Sequence, residues 1–266
     1  MKHKVVQYIF IILILTAIAG GYFYFSSKAA QKINASKANN LTSGLVGYWT
    51  FDGQDTNWGT NTTNDRSGNG YNGAMTNMST STSPAPGVAG QALNFDGSTS
   101  YVNTNQSDAF NITGSVTVSA WIYPTGTATI QRVFSKMGDD AWGAASPFDF
   151  MINGTTKVVS YQSARIDEAQ ILSSISTINL NQWNHVVMIR DLSQTKVTFY
   201  INGTQDSGGW QLYDTYYIGT NTDKNAVIGY NPRNNNQFFR GSIDEVRIYN
   251  RALSASEITE LYNMGR

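Results

Sequence analysis

From Gly44 onward the sequence is written in short runs that alternate apolar and polar residues, broken every few positions by Gly, Asn or Asp. A period of two belongs to strands with one buried face; a helix of globular length does not satisfy it. "SVTVSAWIYP" sets Val116, Val118, Ala120 and Ile122 against Ser115, Thr117, Ser119 and Trp121. "GLVGYWTFDG", "WNHVVMIRD", "KVTFYINGTQ", "NAVIGYN" and "SIDEVRIYN" repeat the pattern. "KVTFYINGTQ" turns at Asn202-Gly203 and "ALNFDGSTSYVNT" at Asp96-Gly97, and both read as hairpin signals. Many short strands with Gly and Asn turns predict an all-β fold, a two-sheet antiparallel sandwich or jelly roll. Residues 44–266 are 223 residues, a length one such domain can use.

One helix is expected beyond the strands. Ser254 and Glu257 form an S-x-x-E capping box, and Leu253 with Ile258 suits a hydrophobic staple. Ile258, Leu261 and Tyr262 make one apolar stripe, and Gly265 can stop the helix. Between Ser163 and Gln182 the composition is helix-like, but the position inside a β pattern reads as strand and loop.

The N-terminus carries a second signal. "VVQYIFIILILTAIAGGYFYF", Val5 to Phe25, is 21 residues without a charge. As a helix it spans roughly 30 Å, the thickness of a bilayer core. We read residues 1–4 as a short cytoplasmic end, 5–25 as a transmembrane signal anchor, 26–43 as a stalk and 44–266 as an extracellular domain. Tyr22 and Tyr24 suit the membrane interface. "AIAG" also resembles a signal-peptide cleavage site, which would leave a secreted protein.

Composition excludes several functions. There is no cysteine, so neither disulfides nor thiolate chemistry are available. Eighteen basic and eighteen acidic side chains balance, which argues against a nucleic-acid partner. Charged residues are 14% of the chain, against roughly 25% in an ordinary soluble domain. Asn, Ser, Thr and Gly must therefore solvate the surface, as is common outside the cell.

Seven motifs, taken in order, resemble the laminin-G-like jelly-roll family of the concanavalin A-like lectin and glucanase fold. They are "GLVGYWTFDG", "DRSGNGYNG", "GVAGQALNFDGSTSYV", "VTVSAWIYP", "QWNHVVMIRD", "VTFYING" and "GSIDEVRIYNRALSASEI". The resemblance implies a domain that binds carbohydrate or protein outside cells, found in adhesins or beside catalytic domains. Many related domains carry calcium.

Asp244 is the sharpest candidate. Strict alternation puts it on the face of Val246 and Ile248, with Glu245, Arg247 and Tyr249 opposite. A carboxylate on a core face needs a metal, a base or several N–H donors. The resemblance brings the first and last strands together, so Asp52, Asp65, Asn69 and Asp244 could supply part of a structural Ca²⁺ shell. Each acid could instead serve locally: Asp65 in an Asx-turn, Asp244 on backbone amides or paired with Arg247 or Arg251.

Catalysis is not expected. In a strand, neighbours such as Asp244-Glu245 or Asp167-Glu168 point to opposite faces and do not converge on a sugar. His185 reads as structural, and no nucleophile elbow, phosphate loop or zinc spacing occurs. A ligand would meet loop aromatics, and Trp142, Trp210, Tyr213 and Tyr216 lie in Gly-, Asn- or Asp-rich stretches. These rings could also pack beneath long loops. The reading is a membrane-anchored extracellular module for a glycan or glycoconjugate. The alternatives are a surface protein-interaction or adhesion role and a divergent glycoside hydrolase.

Overall fold

The alternation resolves into two antiparallel sheets in the computed structural model. It describes residues 41–106, 108–126, 130–140, 143–165, 168–208, 210–212, 218–221 and 223–266. Among these, no helix is long and apolar enough to cross a membrane; segment 5–25 lies outside the described residues. Gly44–Arg266 forms one compact unit.

Across the first sheet the strands run Thr204–Gln205, Lys196–Ile201, Asn184–Asp191, Val116–Pro124, Arg240–Tyr249, Gln91–Asp96 and Pro84–Pro86. Leu45–Trp49 adds to it by pairing with Arg240–Tyr249, so the first strand of the domain lies on the last. Across the second sheet the order is Glu168–Ser173, Val158–Arg165, Gly143–Asn153, Gln131–Ser135, Val227–Ile228, Tyr101–Asn103, Gly73–Thr76, Thr62–Thr63 and Thr56–Asn57.

Register explains the core. One row across the second sheet reads Met75, Val102, Ile228, Phe134, Phe150, Tyr161, Leu172, all buried against the first sheet. The next row, on the outer face, reads Ala74, Asn103, Val227, Ser135, Asp149, Gln162, Ile171. In the first sheet Gly47, Ile248, Val118, Met188 and Phe199 form an inner row facing that core. Each large apolar side chain so buried contributes about 1.5–3 kcal/mol.

Asn202 and Gly203 both take positive φ, 52° and 75°, and close the expected hairpin. Asp96-Gly97 does something different. Gln91–Asp96 lies in the first sheet and Tyr101–Asn103 in the second, so this turn is a crossover and the hairpin expectation is corrected. The physical reason is the Asp96 carboxylate. It accepts the amides of Ser98, Thr99 and Ser100 and the hydroxyls of Thr99 and Ser100, which turns the chain away from its own sheet.

The C-terminal helix Ala255–Met264 carries the capping box: Ser254 Oγ accepts the Glu257 amide while Glu257 accepts the Ser254 amide. Leu253 and Ile258 are both buried. Tyr262 stacks on Trp121 at 5.6 Å and on His185 at 5.9 Å, so the helix covers the outer face of the first sheet.

Candidate functional site

Three partly exposed rings stack on the outer side of the second sheet. Tyr101 alternates with core residue Val102 and therefore points outward. Its ring lies 4.3 Å from that of Tyr230, which lies 5.1 Å from Phe238 at an interplanar angle of 15°. Tyr230 and Phe238 flank the arm "NPRNNNQ". The arm folds back on itself through the Asn231 amide to the Asn236 carbonyl, with Asn235 and Gln237 at positive φ.

A buried ion pair holds this arm in place. The Arg132 amide donates to the Gln237 carbonyl, and Arg132 Nε donates to Gln237 Oε1 at 3.0 Å. Arg132 also reaches Gln162 Oε1 and pairs with Asp149 at 3.3 Å. Asp149 is fully buried and accepts the Ser135 hydroxyl and the Lys136 amide. Burial pushes the Asp149 carboxyl up, and Arg132, Ser135 and Lys136 pull it back. Asp149 thus fixes Arg132, Arg132 fixes Gln237, and Gln237 fixes the ring-bearing arm. The result is a three-ring aromatic surface, Tyr101 tilted 37° from Tyr230, beside the partly exposed amides of Gln162 and Gln237, while Arg132 is buried and serves only to hold the arm.

A second cluster forms around Asp244, on the face opposite to the one expected. Asp244 pairs with Trp121 and Arg247 with Ser119, so one extra residue sits between them. Glu245, at φ 55°, is that bulge, and it resets the alternation. Ile243, Val246 and Ile248 face the core, while Asp244 shares the outer face with Trp121 and His185. The assignment of Asp244 to the core face is corrected by this bulge.

Asp244 is nonetheless fully buried, because the loop Gly87–Gln91 lies over it. Oδ2 accepts the Val88 amide at 2.9 Å and the Ala89 amide at 3.4 Å, whereas Oδ1 is buried without a hydrogen-bond partner. Burial first, then the Glu245 carboxylate, pushes Asp244 up to about 7 against the pull of the loop amides. Asp52 grips the far end of the same loop through the Gln91 amide at 2.9 Å. A Cβ at Gly87 would strike Asp244, and one at Gly90 would strike Asp52.

Of the four residues assigned to a cation, then, Asp52 and Asp244 meet at one loop. Asp65 and Asn69 are engaged elsewhere. Asp65 accepts the amides of Tyr48, Ser67 and Tyr71 and the Ser67 hydroxyl. Asn69 Nδ2 donates to the carbonyls of Leu45 and Val46. Among the described residues, no three His, Cys, Asp or Glu side chains group as metal ligands.

Glu245 does not point away from Asp244 as alternation implies; the bulge keeps both on the outer side. Glu245 accepts the Tyr48 hydroxyl and pairs with Arg247 at 2.6 Å, and Arg247 lies 3.9 Å over the Tyr48 ring. Neither Asp244, at 0% exposure, nor Glu245, at 7%, is open to a substrate. His185 is equally enclosed: Nε2 lies 2.9 Å from Ser119 Oγ, and burial, then Arg247, pulls the imidazole down to about 3.

Trp210 is half-buried and packs against the main core, with Nε1 buried and without a hydrogen-bond partner. Trp142, Tyr213, Tyr216 and Asp167 lie outside the described residues. Sequence reasoning missed Tyr101, Tyr230 and Phe238. Their signal is an aromatic on each side of an Asn-rich turn, in "GYNPRNNNQFF".

No curated protein matches the chain. Solved structures share its fold. Domain 4 of AbnA, a GH43 extracellular arabinanase from Geobacillus stearothermophilus, in complex with arabinotriose, is 23% identical at a TM-score of 0.58, covering 83% of this chain and 98% of that one. The Ruminococcus gnavus IT-sialidase CBM40 is 16% identical at a TM-score of 0.54, covering 64% and 96%. Botulinum neurotoxin type C, described as entering cells through two ganglioside molecules, is 14% identical at a TM-score of 0.58, covering 85% and 53%. The family model Laminin_G_3 matches residues 96–259. With that match and this two-sheet sandwich, the chain belongs to the laminin-G branch of the concanavalin A-like lectin/glucanase superfamily.

Proposed function

We propose that this chain is a non-catalytic glycan-binding module displayed outside the cell on an N-terminal membrane anchor. The observation that carries the reading is the Tyr101–Tyr230–Phe238 stack, held from below by Arg132 and Asp149. Sugar rings present C–H faces to aromatic planes, and the partly exposed Gln237 and Gln162 supply amides beside them. The neighbours bound to arabinotriose, or named for sialyllactose and ganglioside, support the same class of partner. Val5–Phe25 supports the anchor, with secretion after cleavage as the other outcome. The enclosure of Asp244, Glu245 and His185 favours binding over hydrolysis.

The test is a glycan array probed with the protein and with a Tyr230→Ala/Phe238→Ala double variant. Binding that survives the double variant would move the site elsewhere. Binding only to surface proteins would favour the adhesion reading, and glycan cleavage would restore the hydrolase reading.

We also infer a structural Ca²⁺ between Asp52 and Asp244. The unpartnered, fully buried Asp244 Oδ1 supports it, since a divalent cation would both neutralise that carboxylate and complete its coordination. Asp52 and Asp244 would hold the ion, whose chemistry is to cross-link the loop Gly87–Gln91 to the last strand and to the segment that follows the first. Melting the protein with Ca²⁺ and with chelator tests this.

A further inference from the structure

Lys136 is a fully buried lysine placed just beyond the strand Gln131–Ser135. Its Nζ lies 2.5 Å from Oδ1 of Asn221, a residue that is itself buried. Nζ also donates to the carbonyls of Asn221, at 2.9 Å, and Lys224, at 2.7 Å. The Asn221 amide cannot swing away. Its Nδ2 donates to the carbonyls of Lys136, at 2.8 Å, and Ala145, at 3.3 Å. The amide carbon is one carbonyl bond, about 1.2 Å, beyond Oδ1.

A carboxylate attends the pair. Oδ1 of Asp223 and Oδ1 of Asn221 both crowd the one point where a side chain at Gly138 would begin. Burial pulls the Lys136 ammonium down to about 8, and Asp223 is the acid that opposes this most. A buried amine against an immobilised amide, with the exposed carboxylate of Asp223 nearby at the edge of the pair, is the arrangement for acyl transfer to nitrogen.

We propose that Lys136 and Asn221 condense into an intramolecular isopeptide bond from Nζ to Cγ, with Asp223 relaying protons. The Lys136 ammonium first gives a proton to the Asp223 carboxylate. The freed amine attacks Cγ, and the C=O π pair moves onto Oδ1. Asp223 then protonates Nδ2 and recovers a proton from Nζ. The carbonyl re-forms as the Cγ–Nδ2 bond breaks and ammonia leaves, taking the last proton from Asp223 as ammonium. The balance is one ammonium and one carboxamide in, one secondary amide and one ammonium ion out. No oxidant is required, and the bond spans 85 residues in a chain that has no cysteine to staple it.

The test is peptide mapping of the purified full-length chain by mass spectrometry. The expected result is a branched peptide joining the Lys136 and Asn221 segments, lighter than their sum by one ammonia, with no tryptic cleavage after Lys136. Lys136→Arg keeps a cation that cannot condense, and it should lose the branched peptide entirely. Asn221→Asp should retain a branch, formed with loss of water instead. Linear peptides on both sides in the wild-type protein would overturn the proposal. So would an ammonia deficit at Asn221 that persists in Lys136→Arg, because that marks cyclisation of the asparagine onto its own backbone.

Discussion

Asp52 and Asp244 stand 192 positions apart in sequence and close on the two ends of one loop, through the amides of Gln91 and Val88. Two carboxylates on one loop, one of them buried with a bare oxygen, predict a cation-dependent stability. The wild-type melting temperature should rise in millimolar Ca²⁺ and fall in chelator. An ion at a hundredfold its dissociation constant contributes about 2.7 kcal/mol. Asp244→Asn should melt at one temperature in both. Coincident wild-type curves would remove the ion.

The aromatic platform should carry binding energy. Tyr230→Ala or Phe238→Ala should each weaken the array-selected glycan at least about tenfold, or about 1.4 kcal/mol. Calorimetric titration reads it directly. Trp210→Ala should leave affinity unchanged, because that ring packs against the core.

Arg132 and Asp149 couple stability to the site. Asp149→Ala leaves a buried guanidinium without its carboxylate, which costs about 3–5 kcal/mol. Urea midpoints should show that loss. The milder Gln237→Ala removes the side-chain bonds from Arg132 Nε and Asn231 Nδ2, keeps the backbone bond from the Arg132 amide, and should weaken glycan binding with little change in midpoint. Equal binding by Gln237→Ala would detach the ion pair from the platform.

His185 makes the fold acid-sensitive. Its imidazole is held near 3 in the folded protein, while an unfolded histidine titrates at about 6.5. The folded state therefore keeps its full advantage above about 6.5 and loses it as pH falls toward 3, because only the unfolded chain takes up the proton. His185→Gln should flatten the decline in melting temperature between pH 6.5 and 4. Parallel profiles for the two proteins would assign the acid sensitivity to other groups.

The sandwich was legible in the sequence because burial on one face imposes a period of two, and Val116, Val118, Ala120 and Ile122 keep it without interruption. The capping box was legible because Ser254 and Glu257 act within one helical turn. Asp244 was misplaced because a bulge is a single non-glycine residue at positive φ, and Glu245 carries no composition signal for that. The crossover at Asp96 has the same sequence as a hairpin turn; only the partners of the two strands distinguish them. The Tyr101–Tyr230–Phe238 stack joins residues more than a hundred positions apart, and no local pattern reports such a meeting.

Leu45–Trp49 docks on Arg240–Tyr249, nearly two hundred residues later. A chain emerging N-terminus first cannot seat its opening strand until its closing strand exists. The sandwich therefore closes only after residue 249 has been made, with high contact order and slow closure as the result. During that wait Trp49 lacks the closing strand that it pairs with, although Phe110, its ring neighbour, is already made. With a net charge of zero, the unfinished chain has little charge repulsion to keep such chains apart until its two ends meet.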